Sequence, residues 1–359
     1  MSEEAILPIV RQLLPVAPTK LAMFTDIHFG CHQNSVQHNQ DCSNFVDWLI
    51  EQVHIQGADA IAFLGDWFEH RNNINVLTQK FSVDALRKLN SIGMPIYFLI
   101  GNHDLYHRHN REVHSAEMFK EFTNIHVIDQ PLSINNTFLF LPFLFKEEYP
   151  QIVNEVNKHR FVFGHFEFRN FYLTGTSHKA EHGYHHNLFD GPDHIFSGHY
   201  HKRQATDNVI YIGNPFATSY ADAGDYCRGM CLLDCETSEV DFIDYAGPTY
   251  LKTKLSEVLS GDVEPLRLGR VRCLIDVDIS YSEAQSLKTE FMALYELREF
   301  SLEENSKEQQ QSLTESAIEE LEELDLGSLN ETVKKLIETG VQATATIDPA
   351  KLVALFDEL

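Results

Sequence analysis

From Lys20 onward, short runs of β-branched and aromatic residues alternate with longer stretches whose apolar positions recur every three or four residues. The runs 21–26 (LAMFTD), 60–66 (AIAFLGD) and 96–102 (IYFLIGN) have the length and composition of buried strands, and each halts at Asp, Gly or Asn. Between them, residues about 40–55 and about 76–91 carry apolar side chains at i, i+3 and i+4, which predicts amphipathic helices. This βαβαβ opening predicts a mainly parallel sheet. Further strand-like runs follow at 125–128, 137–143, 160–165, 194–199, 208–213 and 228–235, with one helix at about 146–158. Their closer, hairpin-like spacing predicts a second sheet packed on the first, so the expected fold is α/β, a two-sheet α/β/β/α sandwich.

The rhythm changes at both ends of this region. Residues 1–19 contain Pro8, Pro15 and Pro18 and read as an extension or short helix. The sandwich is expected to fill 20–247, and the alternation breaks at Gly247-Pro248. Residues 248–304 then read as strand, strand (271–279), helix (about 282–295) and strand (297–304), predicting a small α+β capping domain. Residues 305–359 begin in a strongly acidic stretch and pass into helix-period text, so an acidic linker and C-terminal helices are expected there. That tail divides evenly between a solvated segment and helices that dock on a partner.

Composition narrows the classes. Against 53 Asp+Glu the 359-residue chain sets 28 Lys+Arg, a formal charge of -25, which excludes a generally basic nucleic-acid coat. A phosphate-bearing substrate must then be captured locally. Six cysteines in a chain this long do not form a disulfide scaffold, and a reducing, cytoplasmic setting is expected. The acidic Met1-Ser2-Glu3-Glu4 start does not read as a secretory signal, and no apolar run is long enough for a bilayer, so no membrane partner is expected. The 19 histidines, dense between His103 and His201, point to a metal. Cys227, Cys231 and Cys235 might suggest a cluster ligand set, but a spacing of four on a strand puts Cys231 and Cys235 on one buried face, where packing is their expected role.

The ends of the predicted strands carry the chemistry. In order they read Asp26-Ile27-His28, Gly65-Asp66, Gly101-Asn102-His103-Asp104, Gly164-His165 and Gly198-His199-Tyr200-His201. The carboxyl ends of strands in an open α/β sheet converge on one crevice, so five such clusters can meet. One Asp-x-His alone is usually a capped turn or packed imidazole, but five in this order predict a site for Mn²⁺, Fe²⁺ or Zn²⁺. A glycine precedes four of the clusters, and the expectation is that it lets the backbone turn sharply to present the side chain.

This motif series resembles the calcineurin-like metallophosphoesterases. With GHFEF (164–168) and YIGNPF (211–216) it is similar to the SbcD-type nuclease subunit of double-strand-break repair complexes, most of all that of the recombination endonucleases of large tailed phages. The resemblance spans roughly 20–300. It implies a two-metal DNA nuclease, exonuclease on duplexes and endonuclease on single strands, in which Asp26, His28, Asp66 and His201 hold one divalent ion, most often Mn²⁺ with Mg²⁺, Fe²⁺ or Zn²⁺ as alternatives. Asp66, Asn102, His165 and His199 would hold the other, Asp66 bridging. Two ions about 3.5–4 Å apart activate a shared water and clamp the attacking and leaving oxygens at phosphorus. His103 matches the histidine that protonates the departing oxygen, and Asp104 would orient it or cap the turn. Arg71 and Arg108, the latter within the run 107–111, are candidate phosphate contacts, each weighed against an ordinary polar loop. Glu69 departs from the pattern, standing where His or Asp is common.

The implied partners are DNA and an SMC-like coiled-coil ATPase subunit of the SbcC type, in a homodimer within a heterotetramer, in host cytoplasm for a phage protein. No GxxxxGK[ST] loop occurs here to bind ATP. The alternatives are a phosphomonoesterase or cyclic-nucleotide phosphodiesterase on the same scaffold, and a metal-free binding scaffold. GDWFEHR (65–71) and GNHD differ from the GDxVDRG and GNHE of protein phosphatases, and no ligand slot is vacant.

Overall fold

A computed structural model describes residues 7–14, 16–173 and 178–304. The chain divides into two compact units, Met1–Glu303 and Glu304–Leu359, and the described residues belong almost wholly to the first. The C-terminal helices expected at 305–359 lie outside the described residues.

The chain runs through β1 (Val10–Gln12), β2 (Lys20–Phe24), the single turn α1 (Cys31–Asn34), α2 (Val36–Gln56), β3 (Ala60–Phe63), α3 (Val76–Ser91), β4 (Ile96–Leu99) and β5 (Ile125–Ile128). It continues through β6 (Leu132–Ile134), β7 (Phe138–Phe140), α4 (Tyr149–Val156), β8 (Phe161–Gly164), β9 (His194–Ser197), β10 (Gln204–Thr206), β11 (Val209–Tyr211), β12 (Gly229–Asp234) and β13 (Val240–Asp244). One sheet has the order β13-β12-β2-β3-β4-β5, the other β1-β6-β7-β8-β9-β11-β10. In the first, β2 to β5 are parallel, as the βαβαβ pattern predicts, while β12 runs antiparallel to β2.

Strand alternation builds the layers. Along β2 and β3, Ala22, Phe24, Ile61 and Phe63 face the helix side, where Phe45 and Leu49 of α2 and Leu86 of α3 cover them. Their neighbours Leu21, Met23, Ala60 and Ala62 turn the other way and meet Phe138, Phe140, Phe161 and Phe163 between the sheets. The far side of the second sheet, Leu139, Val162 and Ile195, packs on Tyr149, Ile152 and Val156 of α4. Because both faces of each central strand are buried, the strands read as continuous apolar runs. Cys231 and Cys235 lie buried in the inter-sheet core, and among the described residues neither belongs to a metal-ligand group.

The N-terminal segment differs from its reading as an extension or short helix. Val10–Gln12 instead pairs parallel with β6 and forms the edge of the second sheet. Val10–Gln12 is three residues long and largely exposed, so it carries no apolar run to read from sequence.

After β13 come β14 (Tyr250–Lys254), α5 (Leu255–Ser260), β15 (Arg270–Ile275), α6 (Tyr281–Leu294) and β16 (Glu299–Glu304). Their three-stranded sheet has its own apolar cluster, including Leu255, Val271, Phe291 and Phe300. A forked ion pair ties it to α2: Arg298 donates from both terminal nitrogens to the buried carboxylate of Asp41, at 2.5 and 2.6 Å. Arg298→Met leaves that buried carboxylate without its partner, and a loss of about 3 kcal/mol is expected in urea unfolding. A loss under about 0.5 kcal/mol would show that the pair holds nothing.

Candidate metal centre

The five clusters meet at the carboxyl ends of five strands drawn from both sheets: β2, β3 and β4 from one, β8 and β9 from the other. Asp26, His28 and His201 offer donor atoms within 4.8 Å of one another, and so do Asp66, His165 and His199. Asn102 joins the second group, its Oδ1 lying 2.9 Å from His165 Nε2 and 3.0 Å from His199 Nδ1. Asp66 Oδ2 is 3.2 Å from His165 Nε2 and 3.9 Å from His28 Nε2, so it stands between the groups. The structure thus brings close together the residues that the resemblance assigns to each ion, and it also groups His28 with Glu69 and His103.

Backbone geometry aims these side chains. Asp26, His28, Asp66 and His199 have φ of 51°, 49°, 62° and 85°, in the left-handed region that costs a non-glycine residue about 1 kcal/mol or more. Asp and His are among the side chains that tolerate it best. The preceding glycines do something other than expected. Only Gly65 turns with a positive φ, of 107°; Gly101, Gly164 and Gly198 are needed for space. A Cβ at Gly101 would stand 2.1 Å from Asp66 Oδ1, and one at Gly198 would stand 2.1 Å from Thr25 Oγ1. The sharp turns belong to the donor residues.

Orienting partners complete the site. His165 Nδ1–H donates to Leu64 O at 2.8 Å, which leaves Nε2 facing the centre. Thr25 Oγ1 donates to Asp26 Oδ2 at 2.7 Å. Arg228, buried against Asp222, donates to the carbonyl of His201 at 3.1 Å. Neither Asp222 nor Arg228 was singled out from the sequence, because nothing local in the strand pattern marks them. Glu69 Oε2 lies 2.9 Å from His28 Nδ1, and Glu69, His28 and His103 offer a further close group of donors.

The electrostatics are those of a dry carboxylate–imidazole cluster. Burial opposes ionisation of Asp66, yet His165 and His103 beside it hold its carboxyl well below the usual range. Burial likewise works against a charged His165, but Asp66 outweighs it and pushes the imidazole up to about 9. Glu69 raises His28 against the same penalty, while burial and His28 lower His201.

His103 donates its backbone N–H to Asp66 Oδ1 at 2.9 Å, and its Nδ1 lies 2.8 Å from Glu69 O. Its ring sits 5.1 Å from that of His28. Asp104 presents its carboxylate to backbone donors. Its fully buried carboxylate accepts from the backbone N–H groups of Asp66, Trp67 and Gly101 at 2.9 to 3.1 Å, so it pins the β3 and β4 loops together. The capping alternative is the one the geometry favours. Arg71 is half-buried and Arg108 exposed, while Arg111 is tied to Glu148 and to Phe143 O.

Behind the site, His38 donates to the carbonyl of His28 at 2.9 Å, and burial with His32 nearby holds its pKa down at about 4. An unfolded histidine takes its proton near pH 6.5, so the unfolded chain binds more protons between pH 6.5 and 4. Stability is therefore expected to fall with pH across that window, by up to about 1.4 kcal/mol per unit from this group. In chemical unfolding at pH 7, 5.5 and 4.5, His38→Gln should flatten the dependence; an unchanged slope would remove His38 from the account.

The donor set fits divalent ions. Two buried carboxylates, four imidazoles and an amide oxygen converge, and His28 Nε2 and His201 Nε2 face each other at 3.2 Å. Paired lone pairs at that distance are balanced by a cation or a shared proton, and oxygen with imidazole suits Mn²⁺, Fe²⁺ or Zn²⁺. No helix among the described residues is long and apolar enough to cross a membrane.

The chain matches the calcineurin-like phosphoesterase family over residues 19–203, a segment holding every candidate ligand. It is 27% identical over 185 residues to "Exonuclease subunit 1" of Enterobacteria phage T4, covering 50% of this chain and 54% of that protein. The chain thus aligns with about half the length of that relative. Among solved structures it resembles a dimetal phosphatase from Danio rerio, with a TM-score of 0.37, 8% identity, and coverage of 60% of this chain and 92% of that one. Strand-end donors in the family's order, on two stacked mixed sheets, agree with the match over more than half the chain: the protein belongs to the calcineurin-like phosphoesterase family, whose chemistry rests on two divalent metal ions.

Proposed function

We propose that this protein is a two-metal DNA nuclease, acting as an exonuclease on duplexes and an endonuclease on single strands, with an SMC-like ATPase subunit as partner. The observation that carries the metal chemistry is the convergence of seven donors in two groups bridged by Asp66. The preference for DNA over small phosphoesters rests on the 27% identity to a phage exonuclease subunit.

Asp26, His28, Asp66 and His201 would hold one ion, and Asp66, Asn102, His165 and His199 the other, with Mn²⁺ the best match. Bound there, the ions supply an activated water and charge neutralisation at phosphorus. The remaining work falls to the protein. Leu64 O fixes His165 in one tautomer, and Glu69 with Asp104 holds the loops that carry His28, Asp66 and Asn102. His103, steadied through Nδ1 on Glu69 O, would give its Nε2 proton to the departing 3′ oxygen. Arg71 and Arg108 remain candidate phosphate contacts. Residues 248–304 would serve as the capping domain. The tail at 305–359 would dock the ATPase subunit in a heterotetramer built on a homodimer.

The deciding experiment sets Mn²⁺-dependent cleavage of an end-labelled duplex and single strand beside a phosphomonoester and a cyclic nucleotide. DNA cleavage is expected to dominate. Turnover of the small substrates alone would overturn the nuclease reading and leave a phosphatase on the same site.

A further inference from the structure

An acidic chain that cuts DNA needs a local means of holding a polyanion, and most described cations are unavailable for it. Arg11, Lys88, Arg111, Lys158, Arg160, Arg203 and Arg298 are each paired with a carboxylate. The segment beside the site is different. Lys179 and Lys202 each place the ammonium 4.7 Å from the centre of the Tyr172 ring, and among the described residues neither has a carboxylate at ion-pair distance.

The backbone that carries the ring is held in place. Gln204 clamps the Tyr172 backbone on both sides, accepting from its N–H at 2.8 Å and donating to its carbonyl at 2.6 Å. Tyr172 also bridges antiparallel to Lys179. The adjoining Leu173 carbonyl accepts from the backbone N–H of His201 at 3.0 Å, so the platform is fixed to a candidate metal ligand. Lys202 follows that ligand directly. An aromatic face beside two long, rotatable lysine side chains restrains them, so less side-chain entropy is lost when they meet an anion.

We infer that Tyr172, Lys179 and Lys202 form a phosphate-binding platform that guides a DNA strand to the His201 side of the site, an inference resting on the nuclease reading above. Two ammonium groups on one ring suit neighbouring phosphates of a strand better than one small phosphoester.

The test is equilibrium binding of a fluorescent single strand and of a duplex to the full chain in EDTA, as a function of salt. Each phosphate contact adds about 0.7 to the log–log salt slope for single strands and about 0.9 for duplexes. Lys179→Gln and Lys202→Gln should each lower the slope by about that amount and the double variant by twice as much, with thermal unfolding unchanged. Lys80→Gln, whose lysine pairs with Asp84 on α3, should leave the slope alone. A double variant with the wild-type slope overturns the platform, and so does an equal drop from Lys80→Gln. In either case DNA cleavage by the wild-type chain keeps the nuclease reading standing; a wild-type chain that neither binds nor cuts DNA removes both.

Discussion

Asp66→Asn is expected to lower Mn²⁺-dependent hydrolysis about 10⁴-fold, equivalent to about 5.5 kcal/mol of barrier at 1.36 kcal/mol per decade. Its Oδ2 lies between the two donor groups, 3.2 Å from His165 Nε2 and 3.9 Å from His28 Nε2, while Oδ1 accepts the His103 N–H at 2.9 Å. Asn keeps the volume and one acceptor, so the β3 loop should survive. What disappears is the charge that both ions would share on the proposed assignment. The same change removes the carboxylate that raises His165. A second readout is independent of turnover. Bound at 100 times its dissociation constant, an ion stabilises a protein by about 2.7 kcal/mol, seen as a rise in melting temperature with added Mn²⁺. The wild-type rise should collapse in Asp66→Asn. Retention of both activity and the Mn²⁺-induced rise would dismiss Asp66 as the bridging ligand.

Gly101→Ala should lower the rate about 100-fold without replacing a donor. An added methyl would sit 2.1 Å from Asp66 Oδ1 and 2.5 Å from Asp66 N, and neither the loop backbone nor a buried carboxylate can yield that space cheaply. Displacement of a metal ligand by about 1 Å costs on the order of 100-fold in rate. Overpacking adds about 1–3 kcal/mol of lost stability. Gly57→Ala is the comparison: Gly57 has φ of 67° but nothing within 4 Å of the would-be Cβ, so about 1 kcal/mol of strain and full activity are expected. Equal activities of the two variants would refute close packing at Gly101 as the constraint.

Much of this was legible because the strands that carry the site are buried on both faces. Runs such as 60–66 and 160–165 announce themselves by apolar content, and the donor clusters sit where those runs stop. What escaped was what depends on through-space neighbours. β1, β6 and β10 are three residues each and β13 is largely exposed, so none shows an apolar run long enough to recognise. Gly101 and Gly198 looked like turn residues, since a sequence does not reveal that another loop passes within 3 Å. Asp104 looked like a partner for its neighbour His103, but its acceptors reach across to Asp66 and Trp67. Glu69, flagged as a departure, found its meaning only beside His28.

That donors come from strands of both sheets has a consequence for the making of the protein. The first, Asp26, and the last, His201, are separated by nearly half of the chain, and Arg228, which donates to the His201 carbonyl, emerges later still. Translation at about 5–20 residues per second puts roughly ten seconds or more between those ends. Until β8 and β9 of the second sheet stand beside the first, His165, His199 and His201 are missing and neither donor group is complete. A nascent fragment that ends before β8 therefore lacks three of the seven donors.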